Sequence, residues 1–300
     1  MSSGGSGVSN SAVRPLVLLV ADDLTGACDS GLAFVKAGCS VCVQLDAAEH
    51  TAPASADVVA ISAETRNLRP GDAKARLETL EQLRGFTGPI LFHKVDSAGR
   101  GNPGEEMLAI AAIGGCAAIV YAPAFPAAGR PVRGGVLNVS DFSGQDTQID
   151  LCTLIPPGAR QRVQIVETGS EEKLRQQMLA ARGAGKDIWL CDAGAREDLE
   201  RIAAAAASLN LRLLWTGSAG LAEAVAGLRA VVQKASGAPT PPRPGQGRTL
   251  VVSGTDHPVT ETQIGRLALQ ATVLSPDGIG LSQDFQCGVA KIDWAAASSE

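Results

Sequence analysis

Aromatic residues are scarce in this chain, where Phe, Trp and Tyr together make up 3% of 300 residues. The 45% hydrophobic content is therefore carried by Ala, Val and Leu, the usual filling of parallel sheets covered by helices. No apolar run approaches the roughly 20 residues needed to span a bilayer. There is no excess of positive charge either. The net charge is −5 with basic residues scattered, which argues against a nucleic-acid binder but leaves room for a small anionic ligand. A disulfide framework is missing: the seven cysteines are odd in number and most lie in apolar runs. Cys39 and Cys42 form a C-x-x-C without a second pair, and positions three apart in a strand face opposite sides. Small buried hydrophobes in a reducing, cytoplasmic setting is the better reading. No G-x-x-x-x-G-K-[ST] occurs, which excludes a P-loop ATPase, and no G-x-G-x-x-G follows the first strand, which weakens a dinucleotide dehydrogenase. The Gly/Ser-rich start lacks the charged and apolar regions of a secretory signal, so residues 1–14 are expected to be a disordered tail.

What the chain does have is alternation. Short apolar strands are expected at Leu16–Ala21, Ser40–Leu45, Val58–Ser62, Ile90–Lys94, Ala118–Ala122, Arg162–Glu167, Asp187–Asp192 and Leu211–Thr216. Helical patterns lie between them at Cys28–Ala37, Gly71–Arg84, Glu105–Ile113, Ser170–Ala181 and Ala195–Ala207. This predicts an α/β fold: a mostly parallel sheet with helices on both faces. A Pro/Gly-rich break, "KASGAPTPPRPGQGR", reads as a linker over 233–248. It separates a domain at 15–232 from a partial second α/β domain at 249–300, with a helix expected at Thr260–Ala271.

Ligands in such folds sit beyond the carboxyl ends of the strands, so the residues just after each strand carry the functional argument. The first strand runs into Asp22 and Asp23, with Gly26 expected to tolerate unusual backbone angles in a tight turn. Asp23 or Thr25 can cap the following helix. Capping explains one carboxylate but not two, because adjacent carboxylates repel unless a cation or hydroxyls separate them. Arg66 follows the third strand, and its fork suits a carboxylate, although a surface charge is the plain alternative. The fourth strand delivers "HKVDSAGRGN", the densest polar cluster in the chain. Lys94, Asp96 and Ser97 there suit a polyhydroxylated acid, whereas His93 alternates away from them towards packing. Arg130 stands in a rigid, Pro-rich loop after the fifth strand, with a lid or dimer contact as the competing role. Gly217–Ser218 opens a later helix as either an anion cradle or a simple tight turn.

Together "ADDLTGA", "KVDSAGRGN", "APAFPAAGR", "DAGAREDLE", "GSAGLA" and "VVSGTDHPVTETQ" resemble the four-carbon acid sugar kinase family, over about Leu16 to Gln263. The resemblance implies ATP-dependent phosphorylation of a C4 sugar acid such as threonate, erythronate or a 3-oxo relative, with Mg²⁺ on the nucleotide. It implies substrate contacts at Asp22 or Asp23, Arg66 and the run Lys94, Val95, Asp96 and Ser97, and nucleotide contact at Ser253. Asp23 and Asp96 are the candidate catalytic carboxylates, and Arg130 joins the site on its own chemistry. A homo-oligomer is compatible with all of this. Two departures stand out. Ala98 and Gly99 replace a bulkier pair, and nothing between Leu274 and Glu300 resembles the family's Gly-rich phosphate-binding segment. The chain is therefore expected to be a truncated member, with a non-catalytic sugar-acid-binding remnant as the alternative to a kinase.

Overall fold

The computed structural model describes residues 15–45, 56–140, 146–234, 249–253, 258–267, 272–274 and 287–291. The expected tail and most of the expected linker lie outside the described residues. The chain forms two compact units, Met1–Pro239 and Thr240–Glu300.

The first unit begins with β1 (Val17–Ala21), α1 (Leu24–Lys36), β2 (Val41–Gln44) and β3 (Val58–Ser62). It continues through α2 (Pro70–Glu78), α3 (Glu81–Arg84), β4 (Ile90–Lys94), α4 (Pro103–Ile113) and β5 (Ala118–Ala122). A small hairpin region follows, β6 (Val132–Arg133), β7 (Val136–Ser140) and β8 (Asp146–Asp150). The unit closes with β9 (Val163–Val166), α5 (Glu171–Gly183), β10 (Ile188–Cys191), α6 (Arg196–Ala207), β11 (Leu213–Gly217), α7 (Ala219–Ala226) and α8 (Arg229–Val232).

Eight strands make one parallel sheet in the order β2-β3-β1-β4-β11-β5-β10-β9. Every residue of β1, β3, β4, β5, β10 and β11 is buried. That is why these strands are continuous apolar runs rather than alternating ones. Helices α1, α7, α6 and α5 pack side by side, and α2, α3 and α4 form a second group. Lys94 points towards α1, where Gly26 lies, and the preceding His93 points to Glu106 on α4. Successive residues of a strand face opposite sides, so the two groups cover opposite faces, as the alternation predicted.

Three expectations change. Helix α1 starts at Leu24 rather than Cys28, because Asp23 caps it by accepting the Gly26 N–H. The helix expected over Gly71–Arg84 breaks at Thr79–Leu80 into α2 and α3. The Pro-rich segment after β5 is not only a loop. It leads into an antiparallel sheet, β6-β7-β8, whose first turn places Gly134 and Gly135 at φ 57° and 75°. Two successive positive φ angles are what a two-residue hairpin turn requires.

The second unit contains β12 (Thr249–Ser253), α9 (Pro258–Leu267), β13 (Thr272–Leu274) and β14 (Cys287–Lys291). Its strands form a parallel sheet in the order β12-β14-β13. Among the described residues no helix is long and apolar enough to cross a membrane.

At the end of the large sheet opposite the site, Arg212 joins three segments. It donates to the carbonyls of Gly114 (2.5 Å) and Phe86 (2.7 Å), with a longer contact to Gly88, and lies 5.9 Å from the centre of the Phe86 ring. Arg212→Ala is expected to lower unfolding stability by about 1.5–3 kcal/mol, since it removes charged hydrogen bonds to buried carbonyls. Urea denaturation reads this, and a change within experimental error would show the contact to be idle.

Candidate functional site

Register brings the carboxyl ends of five strands into one row. Ala21 pairs with Ser62 and Lys94, Lys94 with Gly217, and Gly217 with Ala122. Everything that follows these residues opens onto the same rim. Asp22 donates its N–H to the Lys94 carbonyl, and its own carbonyl accepts the N–H groups of Thr65 and Arg66. The loop after β3 is therefore folded back onto the end of β1.

Arg66 returns with its side chain. Nε and Nη2 donate to the two oxygens of Asp22, each at 2.8 Å, and Nη1 donates to Asp23. Nη2 also lies 3.9 Å from Asp96. One guanidinium thus separates the two adjacent carboxylates. Asp22 is 2% exposed, and burial raises its pKa although Arg66 and Lys94 pull the other way. Lys94 is likewise buried, and burial lowers its pKa against the pull of Asp22 and Asp23. Its Nζ donates to the Val95 carbonyl at 2.9 Å.

Gly26 acts differently from the sequence expectation. It sits within the first turn of α1 and is not among the glycines with positive φ. Its role is the absence of a side chain: a Cβ there would meet Asp23 Oδ1 at 2.7 Å and Lys94 Nζ at 3.2 Å.

Asp96 is held from several sides. Arg100 forks onto it through Nε (2.8 Å) and Nη2 (3.0 Å). The N–H groups of Ala98 and Arg100 add two further donors. Burial opposes ionisation, but these donors together bring the Asp96 pKa down to about 2. Ser97 accepts a hydrogen bond from Arg130, so the loop after β5 reaches the rim from the far side. The structure thus gathers Asp22, Asp23, Arg66, Lys94, Val95, Asp96, Ser97 and Arg130 at the ends of β1, β3, β4 and β5. Ser253 ends β12 in the second unit, and the Gly254 and Thr255 beside it lie outside the described residues.

Two supporting residues were not assigned from sequence. Arg100 stands four residues after Asp96, between Gly99 and Gly101, whose positive φ angles turn the chain back so that the fork can close. Asn102 donates to the Leu68 and Thr65 carbonyls and ties the Arg66 loop to the start of α4. Polar density in "DSAGRGN" was the only signal for either. Gly217–Ser218, by contrast, forms the tight turn. Ser218 donates to the Ala124 carbonyl and accepts from Gly220 N–H, which leaves its hydroxyl engaged within the fold. A separate cavity of about 820 Å³ lies at the ends of β9 and β10, lined in part by Arg133, Lys173, Asp192 and Asp198. Its two aspartates accept backbone N–H groups of Gly134, Gly135, Gly194 and Ala195.

This is an open α/β sheet carrying a charged strand-end site of the kind that holds small polar ligands. Residues 17–225 match the sugar-binding N-terminal domain family. A D-threonate kinase of Cupriavidus necator is 33% identical over 93% of this chain and 69% of its own length. A 3-oxo-tetronate kinase of Burkholderia multivorans is 32% identical over 70% of this chain and 50% of its own length. The chain therefore belongs to the four-carbon acid sugar kinase family, as its motifs implied, and it spans about half to two thirds of these relatives. A Bordetella bronchiseptica crystal structure, a domain-swapped dimer with bound citrate, is 29% identical with a TM-score of 0.63, covering 88% of this chain and 67% of that one. A Salmonella typhimurium structure at 22% identity and TM-score 0.70, covering 94% of this chain and 76% of that one, shares the fold.

The Arg100 fork has a measurable consequence. A carboxylate with a folded pKa near 2 and an ordinary unfolded value near 3.9 binds fewer protons when folded. Its stabilisation is present above about pH 4 and is lost as pH falls towards 2. In Arg100→Ala the Asp96 pKa is expected to rise towards the ordinary carboxylate range, read by carbon-13 NMR of the side-chain carboxyl. An unchanged value would assign the depression to the backbone donors and Arg66.

Proposed function

We propose that the rim of β1, β3 and β4 binds a four-carbon sugar acid and that the chain serves ATP-dependent phosphorylation of one of its hydroxyl groups. The observation that carries this reading is the convergence of three carboxylates, Asp22, Asp23 and Asp96, with four cations, Arg66, Lys94, Arg100 and Arg130. The cations suit the carboxylate of an acid, and the carboxylates suit its hydroxyls. The names of the relatives, D-threonate kinase and 3-oxo-tetronate kinase, support phosphoryl transfer over a binding remnant.

The geometry supports a division of roles. Arg66 and Arg100 already have partners on both arms of their forks, so they hold the carboxylates in place. Lys94 uses one of its three donors, and Arg130 spends Nη1 on Ser97 while its buried Nε has no partner, so these two cations have capacity for the substrate carboxylate. Asp96 receives four donors and is firmly ionised, which makes it a poor proton acceptor but a good fixed acceptor for a hydroxyl. Asp23 is 22% exposed, receives two donors and keeps lone pairs free. It is the carboxylate placed to take the proton of the attacking hydroxyl.

Among the described residues no group of three or more acidic, His or Cys side chains is arranged to hold a metal ion. This donor set fits Mg²⁺ arriving on ATP with at most one or two protein carboxylates beside it, the usual habit of that ion. There it would neutralise charge on the transferred phosphoryl group. The position of Ser253 at the end of β12 supports its assignment to the nucleotide. The free cysteines of the described chain support a cytoplasmic setting, and the domain-swapped Bordetella dimer supports a homo-oligomer.

Two substitutions test the roles separately. Lys94→Ala is expected to weaken D-threonate binding about ten- to a hundred-fold, the effect of losing a charged hydrogen bond. Asp23→Asn keeps a good helix cap but no base, so its kcat should fall about 10²–10⁴-fold with sugar-acid affinity changed far less. Calorimetry and a coupled assay over a panel of C4 acids read both. Full turnover in Asp23→Asn would remove it as the base, and unchanged affinity in Lys94→Ala would remove Lys94 from the acid.

A further inference from the structure

On the face of β4 opposite Lys94 lies a polar group that the proposed chemistry does not use. His93 Nε2 and Glu106 Oε2 are 2.9 Å apart, and both side chains are 1% exposed. The remaining polar atom of each, His93 Nδ1 and Glu106 Oε1, has no hydrogen-bond partner. Thr216 on β11 is wholly buried, and its hydroxyl also lacks a partner. Thr216 is the register partner of His93 in adjacent parallel strands, so the two side chains leave the sheet on the same face. That is the face covered by α4, which carries Glu106. Three unpaired buried polar atoms therefore belong to one layer of the structure.

Such a set is rare in a folded protein, where buried polar groups find partners. It has the composition of a buried water site, which needs two to four polar partners. The proton count closes for a neutral imidazole. With a neutral ring donating from Nε2 to Glu106, a water donates to His93 Nδ1 and to Glu106 Oε1 and accepts from the Thr216 hydroxyl.

We propose that His93, Glu106 and Thr216 enclose one buried water molecule, and that this hydrated cluster is a positioning element for Lys94 and the loop after it. The link to the site is one residue long on each strand. His93 precedes Lys94, Thr216 precedes Gly217, and the Gly217 carbonyl accepts the Val95 N–H at 3.0 Å. Glu106 stands on α4, whose N-terminal Asn102 holds the Arg66 loop. The cluster thus locks together the two elements from which the substrate loop hangs.

The test compares the full chain with Thr216→Val, which keeps the shape and removes the hydroxyl, and with Thr216→Ser, which restores it. Crystal structures are expected to show one solvent peak within hydrogen-bond reach of all three atoms in the native chain and in Thr216→Ser, and none in Thr216→Val. D-Threonate affinity is expected to fall three- to ten-fold in Thr216→Val and to recover in Thr216→Ser, with the unfolding midpoints of both variants close to native. A direct His93 Nδ1–Thr216 hydroxyl bond with no solvent peak overturns the water site. A peak lost in Thr216→Val with affinity and the Lys94 position unchanged overturns the positioning role. The affinity arm rests on the proposed function. If the native chain binds no C4 acid, that reading falls by itself, and the inference is decided by the solvent peak and by whether Lys94 moves in Thr216→Val.

Discussion

The fork of Arg66 on Asp22 and Asp23 is the interaction on which the rest of the site depends. Two neighbouring carboxylates at the end of a buried strand would repel each other and resist burial. A planar guanidinium with donors on three of its nitrogens relieves both problems at once. The backbone supports the arrangement, because the Asp22 carbonyl also receives the N–H of Arg66. The arginine is anchored by its main chain to the residue that its side chain neutralises. Removing Arg66 would leave the Asp22 carboxylate buried with only the Lys94 charge to balance it.

From that pairing the other features follow in order. The loop that passes Arg66 turns at Gly101, whose φ of 85° favours glycine. Lys94 must lie over the first turn of α1, so that turn carries Gly26. Asp96, near Arg66 and not forked by it, needs its own cation, which Arg100 supplies from the same loop. The strand below is asymmetric: one face of β4 presents a lysine to the rim, and the other holds a histidine against Glu106.

The sheet was legible in the sequence because six strands are buried at every residue and so appear as short unbroken apolar runs with polar ends. Val58–Ser62, Ile90–Lys94 and Ala118–Ala122 have the expected limits. Residues Asp22, Asp23, Arg66, Lys94 and Asp96 were legible for the same reason, since anything polar directly after such a run lies on the rim. What escaped was partner choice. In the sequence the Arg66 fork read as suited to a ligand carboxylate, with no sign of its pairing with Asp22, because that pairing spans 44 residues and depends on strand order. The hairpin of β6 and β7 escaped because prolines dominate its approach and β6 is only two residues long. Gly134–Gly135 was its one local sign. Gly26 was singled out for the wrong property, since a sequence shows that a glycine is present but not whether the backbone angle or the missing side chain requires it.

The division between engaged and available cations bears on which ligands the rim would prefer. Arg66 begins with carboxylates on all three of its nitrogens, so a ligand that meets it must exchange one partner for another, and the net gain is small. Lys94 begins nearly buried, with its charge only partly balanced by Asp22 and Asp23 and a single hydrogen bond to a carbonyl. A ligand carboxylate there neutralises a desolvated charge, which is worth more than the same contact in water. A neutral sugar of the same size would cover Lys94 without neutralising it and would add to its desolvation. On the proposed function, discrimination between acid and neutral sugar would rest on Lys94 and on Arg130, whose buried Nε has no partner, rather than on the arginines already engaged with aspartates.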